Sequence, residues 1–258
     1  MATDVNMFSI MKILVALKRT IDYNVRVQIR DDGSGVVTDG IKHSINPFDE
    51  IALEQAIRWQ DDGQVDEVVA VTIGSEPATE QLKTAAAFGC GRVIHIAAED
   101  DVQPPAAARV ISAVAKAENA DMVLMGKQAI DDDCGQTGPM TAAQLGWPQA
   151  SFASAIELTA TNARVTRELD SGLETLDVDL PALITADLRL AEPRYLRLPD
   201  IMRGKKQAIE HRHIDEFDVA DAPALELERV AAPPPRTGGQ RVANTDALIA
   251  ELETRQLL

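Results

Sequence analysis

A chain of 258 residues, 45% of them hydrophobic, is long enough to bury a full core. Its formal charge of −16 excludes nucleic acid and anionic membrane surfaces as main partners, since both demand clustered Lys and Arg. No apolar run approaches the roughly 20 residues that span a bilayer, and aromatics at 3% leave an aliphatic core, the kind parallel strands build under helices. Cys90 and Cys134 stand in no CxxC or metal-ligand spacing, and two such thiols fit a reducing compartment such as the cytoplasm.

Residues 1–10, MATDVNMFSI, carry no basic segment ahead of an apolar one and are not Arg-rich. They read as a short extension, with Met11 an alternative start, rather than as a secretory or transit signal. Lys12–Leu17, KILVAL, predicts a buried strand. Residues 25–40, with Asp32-Gly33-Ser34-Gly35 as turn chemistry, predict a hairpin. Asn46-Pro47-Phe48-Asp49 predicts a helix start: Asn46 as cap, Pro47 at the first position, Asp49 at the positive dipole end. That helix should run to about Gln60 on a stripe of Ile51, Ala52, Ala56 and Trp59. A strand at Val68–Ile73 follows, then a helix capped by Ser75 and stopped by Gly89 after Phe88. Arg92–Ile96 predicts a strand, Pro105–Glu118 a helix, Met122–Met125 a strand and Met140–Leu145 a helix. This alternation implies a parallel sheet covered on both faces. The pattern then changes. Phe152–Leu158, Ala163–Leu169, Leu173–Leu180 and Pro181–Ala186 read as strands, with Asp170-Ser171-Gly172 as a turn, and form a β-rich flank on the same sheet. Beyond Leu188 the periodicity fades, and Pro233-Pro234-Pro235 with Gly238-Gly239 marks an extended linker. Thr245–Leu258 has helical spacing at Leu248, Leu252 and Leu257, with Asp246 near its start. A long arm ending in one short helix calls for a partner surface. The expected organisation is an extension (1–10), a core with its flank (11–187), a docking segment (188–207) and an arm (208–258).

The chemistry concentrates in GKQAIDDDCGQTGPMT, Gly126–Thr141. A polar, glycine-containing loop between a strand's carboxyl end and a helix N-terminus is where open α/β sheets bind ligands. The helix start adds unpaired N–H groups and a positive dipole end for an anion. Lys18-Arg19, with Ile21-Asp22-Tyr23, follows the first strand, and His43-Ser44-Ile45-Asn46-Pro47 leads into the first helix. In a parallel sheet all three loops fall at one edge, the default ligand site, although Lys18-Arg19 alone would pass for a solvated pair. A second feature is LRLAEPRYLRLPDIMRGKKQ, 188–207, where six basic residues meet only Glu192 and Asp200. Apolar Tyr195, Leu196, Leu198, Ile201 and Met202 among them describe either a docking surface or a segment buried under the sheet. His211 and His213 lie in a polar stretch and read as surface residues rather than ligands. There is no GxGxxG after a strand, no GxxxxGK[ST], no HExxH and no GxSxG. Covalent catalysis has no candidate residues.

Five blocks in order carry a family pattern: VALKRTIDY (15–23), GVVTDGIKHSINPFDEIALEQA (35–56), GKQAIDDDCGQTGPMTA (126–142), VTRELDSGLETL (165–176) and PALITADLRLAEPRYLRLPDIMRGKK (181–206). The chain resembles the β subunit of the electron transfer flavoproteins over nearly its whole length. The resemblance implies an α/β fold: a parallel-sheet, Rossmann-like three-layer core of the adenine-nucleotide alpha-hydrolase-like kind, with a β-rich flank and an extended C-terminal arm. It implies a heterodimer whose α subunit holds most of the FAD, and a carrier without a bond-making step of its own. Such a carrier takes electrons from flavoprotein dehydrogenases, such as the acyl-CoA dehydrogenases of fatty acid β-oxidation, to a membrane quinone oxidoreductase. It would be cytoplasmic in a bacterium and in the mitochondrial matrix of a eukaryote. Carried onto matching positions, a structural AMP would be held by Ala16, Asn46, Pro47, Phe48, Asp49 and Ile73. The loop of Gly126, Lys127, Gln128, Ala129, Ile130, Asp131, Asp132, Asp133, Cys134, Gly135, Gln136 and Thr137 would complete its site. The phosphate would fall to the N–H groups near Gly135, Gln136 and Thr137, with the Thr137 hydroxyl. Tyr23 would approach the flavin. Leu198 would anchor the dehydrogenase, with Arg194, Tyr195, Pro199, Ile201 and Met202 around it. Two other readings predict different contents: an electron-bifurcating relative with a second FAD in place of AMP, and a universal-stress-type nucleotide-binding homodimer without flavin.

Overall fold

The computed structural model describes residues 11–99, 102–219, 222, 225–236 and 238–258, so the expected extension at 1–10 lies outside the described residues. By its contacts the chain divides into two compact units. One comprises the chain up to Arg26 together with Thr38–Glu226; the other comprises Val27–Val37 with Leu227–Leu258.

The first unit is a three-layer α/β body. Its strands are β1 (Lys12–Leu17), β4 (Glu67–Gly74), β5 (Arg92–Ala97), β6 (Met122–Gly126), β7 (Gln149–Leu158), β8 (Asn162–Leu169), β9 (Gly172–Asp179), β10 (Ala182–Ala186) and β11 (Glu210–His213). They form one nine-stranded sheet in the order β11-β5-β4-β1-β6-β10-β7-β8-β9. Every ladder from β11 to β7 is parallel, while β7·β8 and β8·β9 are antiparallel. The flank is therefore a meander on the same sheet, from which the chain returns to insert β10 between β6 and β7. A two-stranded ribbon, β2 (Arg19–Ile21) with β3 (His43–Ile45), leads from β1 to the first helix.

The helices are α1 (Pro47–Asp61), α2 (Thr79–Phe88), α3 (Pro104–Glu118), α4 (Thr137–Leu145) and α5 (Leu198–Gly204). Strand residues alternate between two cores. Ile13, Val15 and Leu17 pack with Ile51, Leu53, Ile57 and Leu82 of α1 and α2. Leu14 and Ala16 pack on the other face with Val110, Ile111 and Val114 of α3 and Ala142 of α4. Burial on both faces is why KILVAL is apolar without alternation. Each fully buried Leu, Ile or Val contributes about 1.5–3 kcal/mol.

Four details differ from expectation. The α-helical turn after β4 starts at Thr79, with Ala78 rather than Ser75 in its cap position, because Glu76–Ala78 winds as a 3-10 turn. Helix α4 begins at Thr137, ahead of Pro139 rather than after it. Asn46 occupies the N-cap position of α1, but its side chain makes no capping bond. Regular structure also persists past Leu188: α5 has seven residues, too short for a periodic stripe, and β11 is the polar sequence Glu-His-Arg-His on an edge of the sheet.

In the second unit the predicted hairpin reduces to one antiparallel bridge, Ile29 with Val36. Its turn is closed by the Gly33 N–H donating to the Arg30 carbonyl (2.9 Å), with Gly33 at φ +72°. The Val230 N–H donates to the Gly33 carbonyl (2.9 Å). Helix α6 (Thr245–Thr254) is shorter than the predicted 245–258. It is capped by the Asn244 side chain, which accepts from the Ala247 N–H at 2.9 Å. Leu248, Ile249 and Leu257 are exposed.

Candidate functional site

Parallel pairing of β4, β1 and β6 puts their carboxyl ends at one edge, and three loops meet there. A single carboxylate ties them together. The N–H of Lys18, just past β1, donates to Asp49 Oδ2 (2.8 Å), and the N–H of Gly126, the last residue of β6, donates to Asp49 Oδ1 (2.8 Å). Asp49 sits in the first turn of α1, so one side chain aligns the ends of two strands with a helix N-terminus. Its burial pushes its pKa up to about 7, against the Lys18 and Gly126 N–H donors, the Asn46 side chain and the Lys18 charge, which all favour the ionised form. Glycine is required at 126 by this approach. A Cβ there would lie 2.5 Å from Phe48 Cβ, 2.6 Å from Asp49 Oδ1 and 2.9 Å from the Asp49 nitrogen.

Asn46 is a clamp rather than a cap. Its Nδ2 donates to the Gln128 carbonyl (2.8 Å), and its Oδ1 accepts from the Ile130 N–H (3.2 Å). That pins the start of the 127–136 loop to α1. The three aspartates are not simply solvated. Lys18 Nζ pairs with Asp131 and Asp132, each at 2.9 Å. Lys18 is partly desolvated, which lowers its pKa, but the two carboxylates outweigh this and raise it. Asp133 accepts from the Gln128 side-chain amide, takes φ +54°, and its N–H donates to the Ala129 carbonyl (2.9 Å). Lys127 turns to Asp187 (2.7 Å) and lies over the rings of Phe48 (5.4 Å) and Phe152 (5.3 Å).

Beyond this clamp the loop opens. Cys134 and Gly135 are exposed, Gly135 at φ +62°, and Gln136 at the N-cap of α4 supplies no capping bond. The N–H groups of Thr137 and Gly138 have no intrahelical acceptor by their position in the first turn. Gly138 also packs closely, since a Cβ there would lie 2.7 Å from Thr185 Cγ2. The site thus presents an open helix start at the end of an anchored loop, with Ala16 and Ile73 on the α3 and α4 side of the sheet. Such a start suits an anion.

The 188–207 segment divides rather than burying whole. Leu190, Ala191 and Leu196 pack against the core, while Tyr195 is 93% exposed, Leu198 72% exposed, and Met202 exposed. Arg194 faces inward. Its guanidinium meets buried Glu54 (2.8 Å) and Asp61 (2.9 Å), and its N–H also donates to Glu54 (3.1 Å). Arg58 holds Glu54 as well, at 2.7 Å. Nothing in the sequence marked Glu54, because Arg194 lies 140 residues away. Gly204 closes the segment against α2, where a Cβ would lie 2.3 Å from the Lys83 carbonyl. Tyr23 is 72% exposed beside Asp22, whose bond from Lys42 holds its pKa down near about 2.

The electron transfer flavoprotein domain model matches residues 34–216. The chain belongs to the electron transfer flavoprotein β-subunit family. It is 48% identical over 247 residues to the electron transfer flavoprotein subunit beta of Homo sapiens, covering 94% of this chain and 97% of that protein. The subunit beta of Bradyrhizobium diazoefficiens is 45% identical over 243 residues, covering 94% and 98%. The subunit beta of Arabidopsis thaliana, named as mitochondrial, is 46% identical over 245 residues with the same coverage. The family's electron-transport role and the existence of an α partner follow from this membership. Among the described residues no helix is long and apolar enough to cross a membrane.

Proposed function

We propose that the chain carries AMP at the edge formed by Asp49, Asn46 and the 126–137 loop, and supports an FAD held mainly by the α subunit. The observation that carries the AMP assignment is the uncapped start of α4 at the end of a loop that Asn46, Asp49 and Lys18 hold in place. These residues fit an adenine nucleotide. The open N–H groups and the Thr137 hydroxyl suit one phosphate, and Lys18 bridges two of the three nearby carboxylates, offsetting one unit of the negative charge that would repel it. A triphosphate would lack a P-loop lysine, since Lys18 and Lys127 are both paired with aspartates. The bound flavin supplies the electron-transfer chemistry. The chain's own residues bind, orient and dock, and no residue among those named makes or breaks a covalent bond.

In the same reading, Tyr195, Leu198, Pro199, Ile201 and Met202 form the foothold for flavoprotein dehydrogenases such as the acyl-CoA dehydrogenases, and Arg194 braces the foothold from behind. A small apolar contact on a basic segment suits brief binding to several partners. The expected arm at 208–258 is shorter, because its first part supplies β11 to this chain's own sheet. In this reading the stretch from Leu227 onward rests on the α subunit, and electrons pass onward to a quinone oxidoreductase. The chain works in the cytoplasm of a bacterium or in the mitochondrial matrix. The test is mass spectrometry of nucleotides released when the heterodimer is denatured. One AMP and one FAD per heterodimer are expected. Two FAD without AMP would replace the reading with a bifurcating one, and ATP without flavin would overturn it.

A further inference from the structure

At one lateral edge of the sheet, β11 pairs with β5 so that His211 stands in register with His95. Side chains of register partners point to the same face. His95 is fully buried. Its Nε2 lies 2.9 Å from the Gly74 carbonyl oxygen, which can only accept, so Nε2 carries the proton and Nδ1 is bare. That bare Nδ1 faces His211 Nδ1 at 3.3 Å, with the rings perpendicular. Glu76, two residues after Gly74, brings a carboxylate oxygen so that all three ligand atoms lie within 4.8 Å of one another.

We propose that Glu76, His95 and His211 form a site for a divalent transition-metal ion of the zinc class, which clasps the edge strand β11 to the ends of β4 and β5. Two nitrogens at about 2.0–2.1 Å from one tetrahedral ion stand about 3.3 Å apart, and that is the separation found. A ring whose second nitrogen is fixed by a backbone carbonyl is a histidine prepared for ligation, because its tautomer and orientation are set beforehand. Glu76 is exposed, so a rotamer change brings its oxygen to the ion without disturbing the core. Three protein ligands leave a fourth position for water. Sequence spacing does not reveal this set, since 116 residues separate the two histidines. The clasp holds the strand through which the chain continues after the docking segment. The competing arrangement is a plain hydrogen bond from His211 to His95, which leaves Glu76 unused.

The test uses the heterodimer, treated with chelator, dialysed and titrated calorimetrically with zinc chloride. One equivalent should bind per heterodimer. His211→Ala should weaken binding about tenfold or more. Glu76→Gln should weaken it too, while His213→Ala should leave it unchanged. Zinc should also raise the thermal midpoint of the wild type but not that of His211→Ala. His211 and Glu76 are exposed, so both variants keep the fold, which circular dichroism checks. Absence of stoichiometric binding, or binding that survives His211→Ala intact, would overturn the site.

Discussion

The two ends of the central strands are built on opposite plans. At the amino ends the charges close on one another. Lys12 pairs with Glu67 (2.9 Å) and Glu118 (3.3 Å), and Arg92 pairs with Glu118 (2.5 Å) and Glu210 (2.8 Å). The Lys12 N–H donates to Asp121 and the Met11 N–H to Asp66. Four strand starts are thereby tied together with little left for a ligand. At the carboxyl ends a buried aspartate holds backbone rather than cations, and an exposed loop ends in an uncapped helix. Their titration differs accordingly. Burial raises the pKa of Asp49. At Glu118 burial works in the same direction, but Arg92 and Lys12 outweigh it and hold the pKa low. One edge closes its charges for stability, and the other is the edge proposed for binding.

The strongest way to break this contrast is Gly126→Ala. The added methyl meets Phe48 and Asp49 at distances no side chain tolerates, so β6 and α1 must separate. The expected cost is about 3 kcal/mol, read by urea unfolding, together with loss of copurifying nucleotide. Retention of both would mean the edge is looser than its contacts imply. Next is Asp49→Asn, which gives one of two backbone N–H groups an amide donor instead of an acceptor, at about 2 kcal/mol. The pH dependence has a definite sign. Because the folded pKa is raised, from 3.8 to about 7, the contribution of Asp49 is full below about pH 4 and is lost as pH rises through 7. The deficit of the variant should therefore be larger at pH 5 than at pH 8. Parallel unfolding curves at the two pH values would show Asp49 ionised throughout.

How much of this the sequence could reveal follows from where each partner lies. KILVAL and MVLMG read directly as strands because two-sided burial leaves a continuous apolar run. Their alternation with helices pointed to the parallel sheet that brings the three loops to one edge. The role of Asn46 did not read correctly. Its local context is that of a cap, but its bonds go to residues 82 and 84 positions away. Lys18 looked like half of a solvated pair, and its two aspartates are 113 and 114 residues distant. β11 carried no signal because an exposed edge strand needs no apolar face. Leu198 could not be judged exposed or buried from its spacing, because the segment splits residue by residue between core and solvent.

A smaller effect is expected at the amino edge. Glu118→Gln removes the carboxylate shared by Arg92 and Lys12 and should cost about 1 kcal/mol. Its pH sign is opposite to that of Asp49. The folded pKa is lowered, so the contribution is present above about pH 4.5 and is lost as pH falls through the depressed value. Nucleotide content should stay at one equivalent, since this side chain lies at the opposite ends of the strands. Loss of nucleotide in this variant would mean that the two edges are coupled and that the division of labour is wrong.

The smallest effect on folding belongs to Leu198→Ala. A side chain 72% exposed on a seven-residue helix has little burial to lose. Unfolding free energy should change by less than about 0.5 kcal/mol, and nucleotide content should not change. The rate of electron transfer from an acyl-CoA dehydrogenase should nevertheless fall. The loss should appear as weaker binding, a higher KM for the carrier, rather than as a change in the flavin. Arg194→Ala serves as the contrasting variant, because it strips buried Glu54 of one of its two arginine partners and so reduces stability as well as docking. If Leu198→Ala destabilised the fold, or if it left transfer untouched while Arg194→Ala abolished it, the foothold would lie elsewhere on the segment and the exposure of Leu198 would need another explanation.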